Sequence, residues 1–341
     1  MRRWLTRIGL GIAAVVILVL AASTAYEAYA RHGARSEFPP PGRMIDIGGR
    51  GIHLDCRGQS APTVVFEAGL DTYGSLSWSA VQDSVAAFTR ACTYDRAGIM
   101  WSDPKDGAQH ADAVADDLHA ALAAAGEKGP FILVGHSLGG IYILDYAKKF
   151  GDQVAGLVFV DASHPDQNRR LRAAGYTQLT QAASSPVVLL SKLTWTGWTR
   201  LLGDNETFPN LPAGAAAASK AYASVSMAAA MSEAVNLERT LSDVGAAPAL
   251  GSRPIVVLTA MQPFPDAVLK SQNLTRSDGL KVQAIWKELH DEEARWSSNS
   301  RHQLVPDSTH YIQFVRPDVV SDAVREVVHA VRSDASASAQ R

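Results

Sequence analysis

The chain opens with a long apolar segment that differs from everything after it. Residues 8–26 carry no charge, and Arg2, Arg3 and Arg7 precede them without an acidic residue between. A helix of this length is about 28 Å long, close to the roughly 30 Å of hydrocarbon in a bilayer. The pattern predicts a membrane-spanning helix with the arginines on the cytoplasmic side and the rest of the chain outside.

Two interpretations of residues 1–30 stay open. The length of the apolar run favours a retained single-pass anchor. Residues 28–30 read Ala-Tyr-Ala, a pattern typical of signal cleavage, which would release a secreted protein. In either case residues 31–43, with three consecutive prolines at 39–41, are predicted to form a stiff extended linker.

Beyond the linker, short apolar runs of strand length alternate with helical patterns. The predicted strands are residues 44–47, 52–56, 63–67, 92–94, 131–134, 157–160, 255–258 and 303–305, and the predicted helices are residues 78–89, 111–125, 141–150 and 317–331. Such alternation predicts an α/β domain, here residues 44–332, with a mostly parallel eight-stranded sheet covered on both faces. The polar tail, residues 333–341, is predicted to be disordered.

The stretch between the sixth and seventh predicted strands is long and lacks a strong strand pattern. It contains helical runs at residues 216–230 and 231–241, together with Trp195 and Trp198. A separate helical domain is one interpretation. Because the stretch lies between two strands of one sheet, a helical cap at about residues 164–252 is favoured.

Composition narrows the class of protein. The 341 residues are 47% hydrophobic and 19% charged, with 32 basic and 34 acidic side chains and a formal net charge of −2. The apolar fraction excludes wholesale disorder, and the balanced charge argues against a nucleic-acid-binding protein. Two cysteines are too few for a disulfide scaffold or a cysteine-rich zinc site.

The strongest chemical motif is Gly-His-Ser-Leu-Gly at residues 135–139. It follows the apolar run 131–134 directly and precedes a helical pattern. A sharp strand-to-helix turn holds its central residue in strained backbone angles and presents that side chain at the sheet edge, and flanking glycines avoid clashes. The following helix directs its positive end towards the serine oxygen. The motif predicts that Ser137 is a nucleophile, rather than a helix cap in a glycine-rich turn.

From about residue 44 to the last helix, the chain resembles the α/β-hydrolase fold serine hydrolases, in the esterase- and lipase-like branch with a helical cap. Residues 67–70, Glu-Ala-Gly-Leu, resemble the family's loop after the third strand, which implies that the amides of Leu70 and Leu138 form an oxyanion hole. Residues 94–98 resemble the family's Y-D-R-x-G segment, where we expect Asp95 and Arg96 to form a structural ion pair.

The same resemblance indicates the base. His310 lies on the loop between the last predicted strand and the last helix, where the family keeps its catalytic histidine. Ser308 and Thr309 stand where the family often has glycine, a mild departure. His302 is placed too low in the sheet, and His136, next to the nucleophile, is expected to point away from it.

Two carboxylates are candidates for the acid that would orient the catalytic histidine. The family's commonest position follows the seventh strand, where Gln262 stands and Asp266 comes four residues later. Asp161, directly after the sixth strand, is the favoured candidate, because some lipases of this fold carry their acid there. A structural role for Asp161 in the turn into the cap is the alternative.

These residues imply acyl transfer through an acyl-enzyme, with a small-molecule ester as substrate and no metal or organic cofactor. Epoxide hydrolases and haloalkane dehalogenases of this fold use Asp where Ser137 stands. An aminopeptidase-like member would need a cap carboxylate for the substrate ammonium, with Glu206, Glu233 and Glu238 as candidates. A haloperoxidase-like member of the same fold and a non-catalytic binding module also stay open.

The family's strand order also bears on the two cysteines. In that order the second strand lies beside the fourth, and Cys56 and Cys92 fall on those strands. Neighbouring strands are about 4.8 Å apart, a spacing that a disulfide accommodates. The expected location outside the cytoplasm permits oxidation, so a Cys56–Cys92 disulfide is predicted, with two reduced thiols as the alternative.

Overall fold

The computed structural model describes residues 2–180, 190–202, 208–245 and 250–339. Its centre is an eight-stranded sheet in the order β1-β2-β4-β3-β5-β6-β7-β8. The strands are β1 (Arg43–Asp46), β2 (Gly51–Arg57), β3 (Thr63–Glu67), β4 (Arg90–Tyr94), β5 (Phe131–His136), β6 (Val154–Val160), β7 (Ile255–Ala260) and β8 (Ser300–Val305). Strand β2 pairs antiparallel with β1 and β4, and the remaining pairs are parallel. The predicted mostly parallel sheet is confirmed.

Helices cover both faces of this sheet. They are α1 (Arg2–Glu37), α2 (Gln82–Ala86), α3 (Ala111–Ala125), α4 (Leu138–Lys149), α5 (Gln167–Ala173), α6 (Trp198–Leu202), α7 (Ala213–Val235), α8 (Leu237–Val244), α9 (Asp266–Ser271), α10 (Arg276–Glu293), α11 (Ile312–Val315) and α12 (Pro317–Ala339). Short 3₁₀ helices occur at Gly74–Trp78, Gly151–Gln153, Thr177–Thr180, Thr194–Thr196 and Ala294–Trp296.

Alternate residues of the central strands build two separate cores. Val65, Leu133 and Leu157 pack with α3 and α4 on one face. Val64, Ile132 and Val158 pack with α2 and α12 on the other. Because successive strand residues point to opposite faces, runs that are apolar at every position are buried on both sides, as the sequence pattern required.

Helix α1 is longer than the sequence predicted. It continues to Glu37, so the first seven residues of the expected linker are helical, and only the prolines from Pro39 end the helix. By length and composition α1 suffices to cross a membrane, and its most apolar window is not buried against the domain. Its second half does contact the domain: Glu27 is 1% exposed.

The other terminus also differs from expectation. Helix α12 begins at Pro317 as predicted but extends to Ala339, through most of the tail that was expected to be disordered. Alanine favours helix, and the hydroxyls of Ser333 and Ser336 donate to carbonyls one turn earlier. Arg332 anchors this part by donating to the carbonyls of Ala61 and Phe88.

We use the name cap region for residues 164–252, of which 181–189, 203–207 and 246–249 lie outside the described residues. Helices α5 to α8 belong to it and fall between β6 and β7. Phe208 stacks on Phe314 of α11 with ring centroids 4.6 Å apart. Glu233 of α7 bonds to Arg96 in the loop after β4. The cap region therefore packs against loops at the carboxyl ends of the strands.

Cys56 and Cys92 form a disulfide. They face each other directly in the antiparallel β2–β4 pair. The bond closes a loop across 36 positions and ties antiparallel β2 to β4, the first strand of the parallel part of the sheet.

Candidate active site

Ser137 occupies a sharp turn between β5 and α4. Its backbone angles are φ 51° and ψ −124°, a conformation that residues with a side chain rarely adopt. A Cβ on Gly135 would lie 2.6 Å from the carbonyl oxygen of Gly139, and one on Gly139 would lie 2.5 Å from that of Glu67. Glycine at both positions is therefore required for β3, β5 and α4 to meet this closely.

The end of the neighbouring strand β6 lies beside Ser137. The Ser137 amide donates to the carbonyl of Val160, the last residue of β6. Asp161 follows at once, with φ 42°, and its own amide donates to Leu258 of β7. Parallel strands end at the same edge of a sheet, which is why the nucleophile candidate and this carboxylate become neighbours.

His310 approaches the same edge from the loop after β8. Its Nδ1 lies 2.7 Å from Oδ2 of Asp161, while Oδ1 of Asp161 accepts from the amide of Ala260 at 2.8 Å. The carboxylate is thus held at both oxygens, and the imidazole side chain remains 45% exposed. With the Nδ1 proton donated to Asp161, Nε2 is the ring atom left to accept a proton.

Competing effects act on the Asp161 carboxyl. Burial alone would raise its pKa, but the hydrogen bond from His310, the positive charge available on His310 and His290, and the Ala260 amide together lower the pKa below its usual value. Asp161 is therefore ionised at neutral pH and suited to stabilise an imidazolium.

The second predicted acid lies elsewhere. Asp266 begins α9 on the surface and pairs with Arg276 at 2.9 Å. His302 lies within β8, where its Nδ1 contacts Asp291 at 2.9 Å. Of the predicted acids, only Asp161 lies within hydrogen-bonding distance of His310.

His136 was expected to point away from the nucleophile, and its ring contacts His310. The ring centroid lies 4.7 Å from that of His310, and Nε2 is 3.0 Å from the backbone oxygen of His310. Burial, followed by the nearby His310, lowers the pKa of His136 to about 3. It is therefore a neutral donor that holds the His310 loop, a role that its place beside the serine did not reveal.

The expected oxyanion loop lies against the serine turn. A Cβ on Gly69 would come within 3.0 Å of the Ser137 Cβ, so Gly69 allows this close approach. Leu70 follows it, and Leu138 is the first residue of α4, where an amide has no partner within its own helix. Arg96 donates to the carbonyls of Ala68 at 2.8 Å and Gly69 at 2.7 Å, which fixes the loop from behind.

The predicted Asp95–Arg96 ion pair is wrong. Asp95 instead contacts His53 at 2.8 Å and accepts from the amide of Ser75. Arg96 pairs with Glu67 at 2.7 Å and with Glu233 at 2.8 Å. Consecutive side chains in an extended segment point in opposite directions, so each of the two charges finds its partner on a different side.

Two acidic groups around Arg96 are strongly perturbed. Burial raises the pKa of Glu67 to about 7, against the lowering effects of Arg96 and the Tyr94 hydroxyl that donates to it. Burial also raises the pKa of Asp71, in the same loop, to about 6. The Arg96 guanidinium thus has more than one carboxylate near it, and Arg96, Glu67 and Glu233 are buried.

Two of the three cap carboxylates considered for binding a substrate ammonium have other partners. Glu233 is fully buried against Arg96. Glu238 pairs with Arg172 at 2.6 Å and accepts from Asn168. Glu206 lies outside the described residues. No observation at these positions favours the aminopeptidase-like reaction.

Within the described part of the chain, one cluster has three side chains of metal-ligating type close together. It consists of Cys56, Cys92 and Glu127. Both cysteines are consumed by the disulfide, and a disulfide sulfur is not the thiolate that binds metal. This cluster does not suit a metal ion.

Comparison with known proteins agrees with the fold. An esterase from Thermogutta terrifontis superposes with a TM-score of 0.51 at 21% identity, covering 84% of this chain and 97% of the esterase. An epoxide hydrolase from Bacillus megaterium superposes with a TM-score of 0.59 at 15% identity, covering 84% of this chain and 100% of that chain. At these identities the likeness is one of fold alone.

Sequence relatives match over shorter regions. A Schizosaccharomyces pombe protein is 43% identical over 74 residues, which is 22% of this chain and 14% of that protein. YbdG of Bacillus subtilis is 23% identical over 169 residues, 49% of this chain and 52% of YbdG. The chain thus spans about half or less of the length of these relatives. The model of the alpha/beta hydrolase family matches residues 32–323. The chain belongs to the alpha/beta hydrolase family.

Proposed function

We propose that this hydrolase cleaves carboxylic esters of small molecules through an acyl-enzyme on Ser137. The observation that carries the proposal is the 2.7 Å contact between His310 Nδ1 and Asp161 Oδ2, at the sheet edge where Ser137 occupies its strained turn. A serine, a histidine and an ionised acid gathered at the carboxyl ends of three strands match the roles of nucleophile, base and orienting acid.

In the proposed reaction, His310 Nε2 accepts the proton of the Ser137 hydroxyl as the oxygen attacks the acyl carbonyl. Asp161 keeps the ring in the tautomer with its proton on Nδ1 and stabilises the imidazolium. The amides of Leu70 and Leu138 receive the oxyanion, and the proton passes from His310 to the leaving alcohol. Water then attacks the acyl-enzyme by the same path and regenerates Ser137.

Serine at position 137 favours ester chemistry over the reaction of the epoxide-hydrolase neighbour. Enzymes of this fold that open epoxides or displace halide form an alkyl ester on an aspartate, as the resemblance implies. A serine alkoxide instead forms an acyl ester that water can cleave.

The test is hydrolysis of p-nitrophenyl acetate and butyrate by the purified full chain and by Ser137→Ala. We expect the variant to lose at least three orders of magnitude in kcat/KM and all labelling by a fluorophosphonate probe. Ser242→Ala, on the exposed side of α8, is the matched control and should retain both. Ester turnover that survives in Ser137→Ala, or hydrolysis of styrene oxide without ester turnover, would contradict the proposal.

We further propose that α1 is retained as a single-pass anchor with the hydrolase domain outside the cytoplasm. Glu27 is buried, where it pairs with Arg31 of its own helix and Arg200 of α6 and accepts from Ser224 of α7. Cleavage after residue 30 would remove this carboxylate and leave Arg200 without its partner. Arginines ahead of the apolar run favour this orientation, and the disulfide is compatible with an oxidising compartment.

Mass measurement of the chain purified from membranes tests the anchor. An intact N-terminus that resists alkaline carbonate extraction is expected. A soluble product that starts near residue 31 would instead support secretion after signal cleavage.

A further inference from the structure

A cavity of about 710 Å³ lies apart from the proposed catalytic residues. Its walls come from the second half of α1, the loop that follows β4, the 3₁₀ helix Thr194–Thr196 and helix α7. None of Ser137, Asp161 and His310 lines it. A ligand bound in this cavity is therefore distinct from the acyl group at the serine.

The position of this cavity relative to a bilayer follows from helix geometry. If the uncharged run to Tyr26 spans the hydrocarbon, Arg31 lies about 7.5 Å and Arg35 about 13.5 Å beyond its edge along the helix. The headgroup layer is about 5–8 Å thick on each side. The α1 wall of the cavity is therefore level with the lipid headgroups and just above them.

The cap region meets α1 below this wall, at the edge of the hydrocarbon. The Ser23 hydroxyl donates to the carbonyl of Thr196, and a Cβ on Gly197 would lie 3.1 Å from the Ser23 carbonyl oxygen and from the Glu27 Cβ. Next to this contact, Leu190, Leu193 and Trp195 are 43%, 37% and 53% exposed. A tryptophan flanked by exposed leucines at the level where a spanning helix leaves the hydrocarbon is typical of membrane-interface segments.

The chemistry of the cavity matches this location. Arg31, Arg35 and Lys105 contribute three cations and Asp103 one anion. Arg31 pairs with Glu27 at 2.6 Å, and Lys105 lies 3.6 Å from Asp117. Arg35 is exposed and has no ion-pair partner among the residues the structure describes, whereas the Asp103 carboxylate is engaged by the amide of Gly51. The remaining wall is largely apolar, with Met100, Trp101 and Val225 among its residues. Positive charge at the rim above an apolar wall suits an anionic amphiphile.

We propose that this cavity binds the headgroup of an anionic phospholipid from the leaflet in which α1 ends. Arg35 and Lys105 contact the phosphate, and the glycerol and upper acyl carbons lie along Trp195 and α7 towards the bilayer. This inference rests on the proposed retention of α1 as an anchor, but it does not depend on the proposed ester hydrolysis.

The experiment uses the full chain carrying Ser137→Ala, so that no lipid is consumed, in dodecyl maltoside micelles. Dihexanoyl phosphatidylglycerol, dihexanoyl phosphatidylcholine and glycerol 3-phosphate are titrated separately, and the melting temperature is followed by tryptophan fluorescence. We expect phosphatidylglycerol to raise the melting temperature saturably, and the other two compounds to shift it at least fivefold less.

Variants locate the site. Arg35→Gln combined with Lys105→Gln should weaken the apparent affinity for phosphatidylglycerol at least tenfold. The matched control, Arg239→Gln with Lys270→Gln, removes the same charge from α8 and α9 and should leave the affinity unchanged. If the double variant is less stable than the parent chain, Arg35→Gln alone replaces it in the test, because this position is exposed. The single variant should weaken phosphatidylglycerol binding at least threefold.

Three outcomes would overturn the inference. They are equal shifts with phosphatidylcholine, an equal response to glycerol 3-phosphate, and unchanged affinity in the cavity variants. Measuring the mass of the protein used in the titration distinguishes failure of the lipid site from failure of the anchor proposal. If the N-terminus is intact and no lipid is preferred, the lipid site alone is refuted. Ester hydrolysis by the unsubstituted chain is measured independently and is unaffected by either result.

Discussion

The Glu233→Gln substitution tests the buried contact between the cap region and the oxyanion loop. Both carboxylate oxygens of Glu233 accept from Arg96 at 2.8 Å, and one also accepts from Gln109 at 2.9 Å. Glutamine keeps the shape of glutamate but replaces one acceptor with a donor that faces the guanidinium. The variant therefore retains one contact to Arg96 and loses the other.

The loss of stability in this variant depends on which ion-pair partners Arg96 retains. Removing the sole partner of a buried charge costs about 3–5 kcal/mol. Here Glu67 still lies 2.7 Å from Arg96, and loss of the Glu233 charge favours ionisation of Glu67, so Arg96 keeps a carboxylate partner. The loss is that of one hydrogen bond between charged groups, about 1.5–3 kcal/mol. For a domain of this size, we expect the melting temperature to fall by roughly 3–6 °C.

The pH dependence provides a sharper signature. Glu67 has a pKa of about 7 in the folded protein against a reference value of 4.5, so the folded state holds a proton that the unfolded state releases over this interval. Stability from this group is present below pH 4.5 and is lost as the pH rises through 7, by roughly 3 kcal/mol in total. Because the charge of Glu233 helps to raise this pKa, the variant should lose less stability over the same pH range.

Melting temperatures of the full chain at pH 5, 6, 7 and 8 measure both effects. Glu238→Gln on the neighbouring helix α8 is the matched control: it breaks a half-exposed pair with Arg172, and we expect at most about 1 kcal/mol of destabilisation and an unchanged pH profile. If Glu233→Gln melts like Glu238→Gln, or if its pH profile matches that of the unsubstituted protein, the reasoning about the Arg96 site is refuted.

Further predictions concern the proposed acid and the disulfide. Asp161→Asn should lower kcat for p-nitrophenyl butyrate by about two to four orders of magnitude, because His310 loses the partner that sets its tautomer. Asp266→Asn should leave kcat unchanged in the same assay. A larger loss of kcat in Asp266→Asn than in Asp161→Asn would contradict the assignment of Asp161 as the acid. Replacing Cys56 and Cys92 with serine should destabilise the domain by about 3–4 kcal/mol, from the 36-residue separation of the pair. Thiol titration of the unfolded, unreduced chain should detect no free thiol, and two would exclude the bond.

Much of the fold was predictable because its signals are local. The buried run Thr63–Glu67 and the helix Ala111–Ala125 have the bounds that periodicity predicted. Gly126, in the left-handed conformation, ends that helix. Each of these features depends on backbone preferences and burial over a few neighbouring residues.

Prediction was weaker where the local signal allowed two outcomes. Residues 31–37 were assigned to a linker because of the prolines that follow them, and residues 333–339 to a polar tail, yet both extend helices, α1 and α12. Propensity there favours helix moderately, and contacts such as those of Arg332 with the carbonyls of Ala61 and Phe88 decide the outcome.

The amino-acid sequence by itself determined the strand-to-helix turn that carries Ser137, because glycines and an apolar strand within nine residues dictate that geometry. Only the tertiary structure decided that Asp161, and not Asp266, contacts His310. It also decided that Arg96 pairs with Glu233 and not with Asp95. Glu27 likewise connects the membrane-spanning candidate helix to the cap region only in the folded chain. The partners in these contacts lie about 137 to 173 positions apart. A charged or polar side chain selects its partner from whatever the folded chain brings within about 3 Å, and that information is spread over the packing of the whole sheet and its helices.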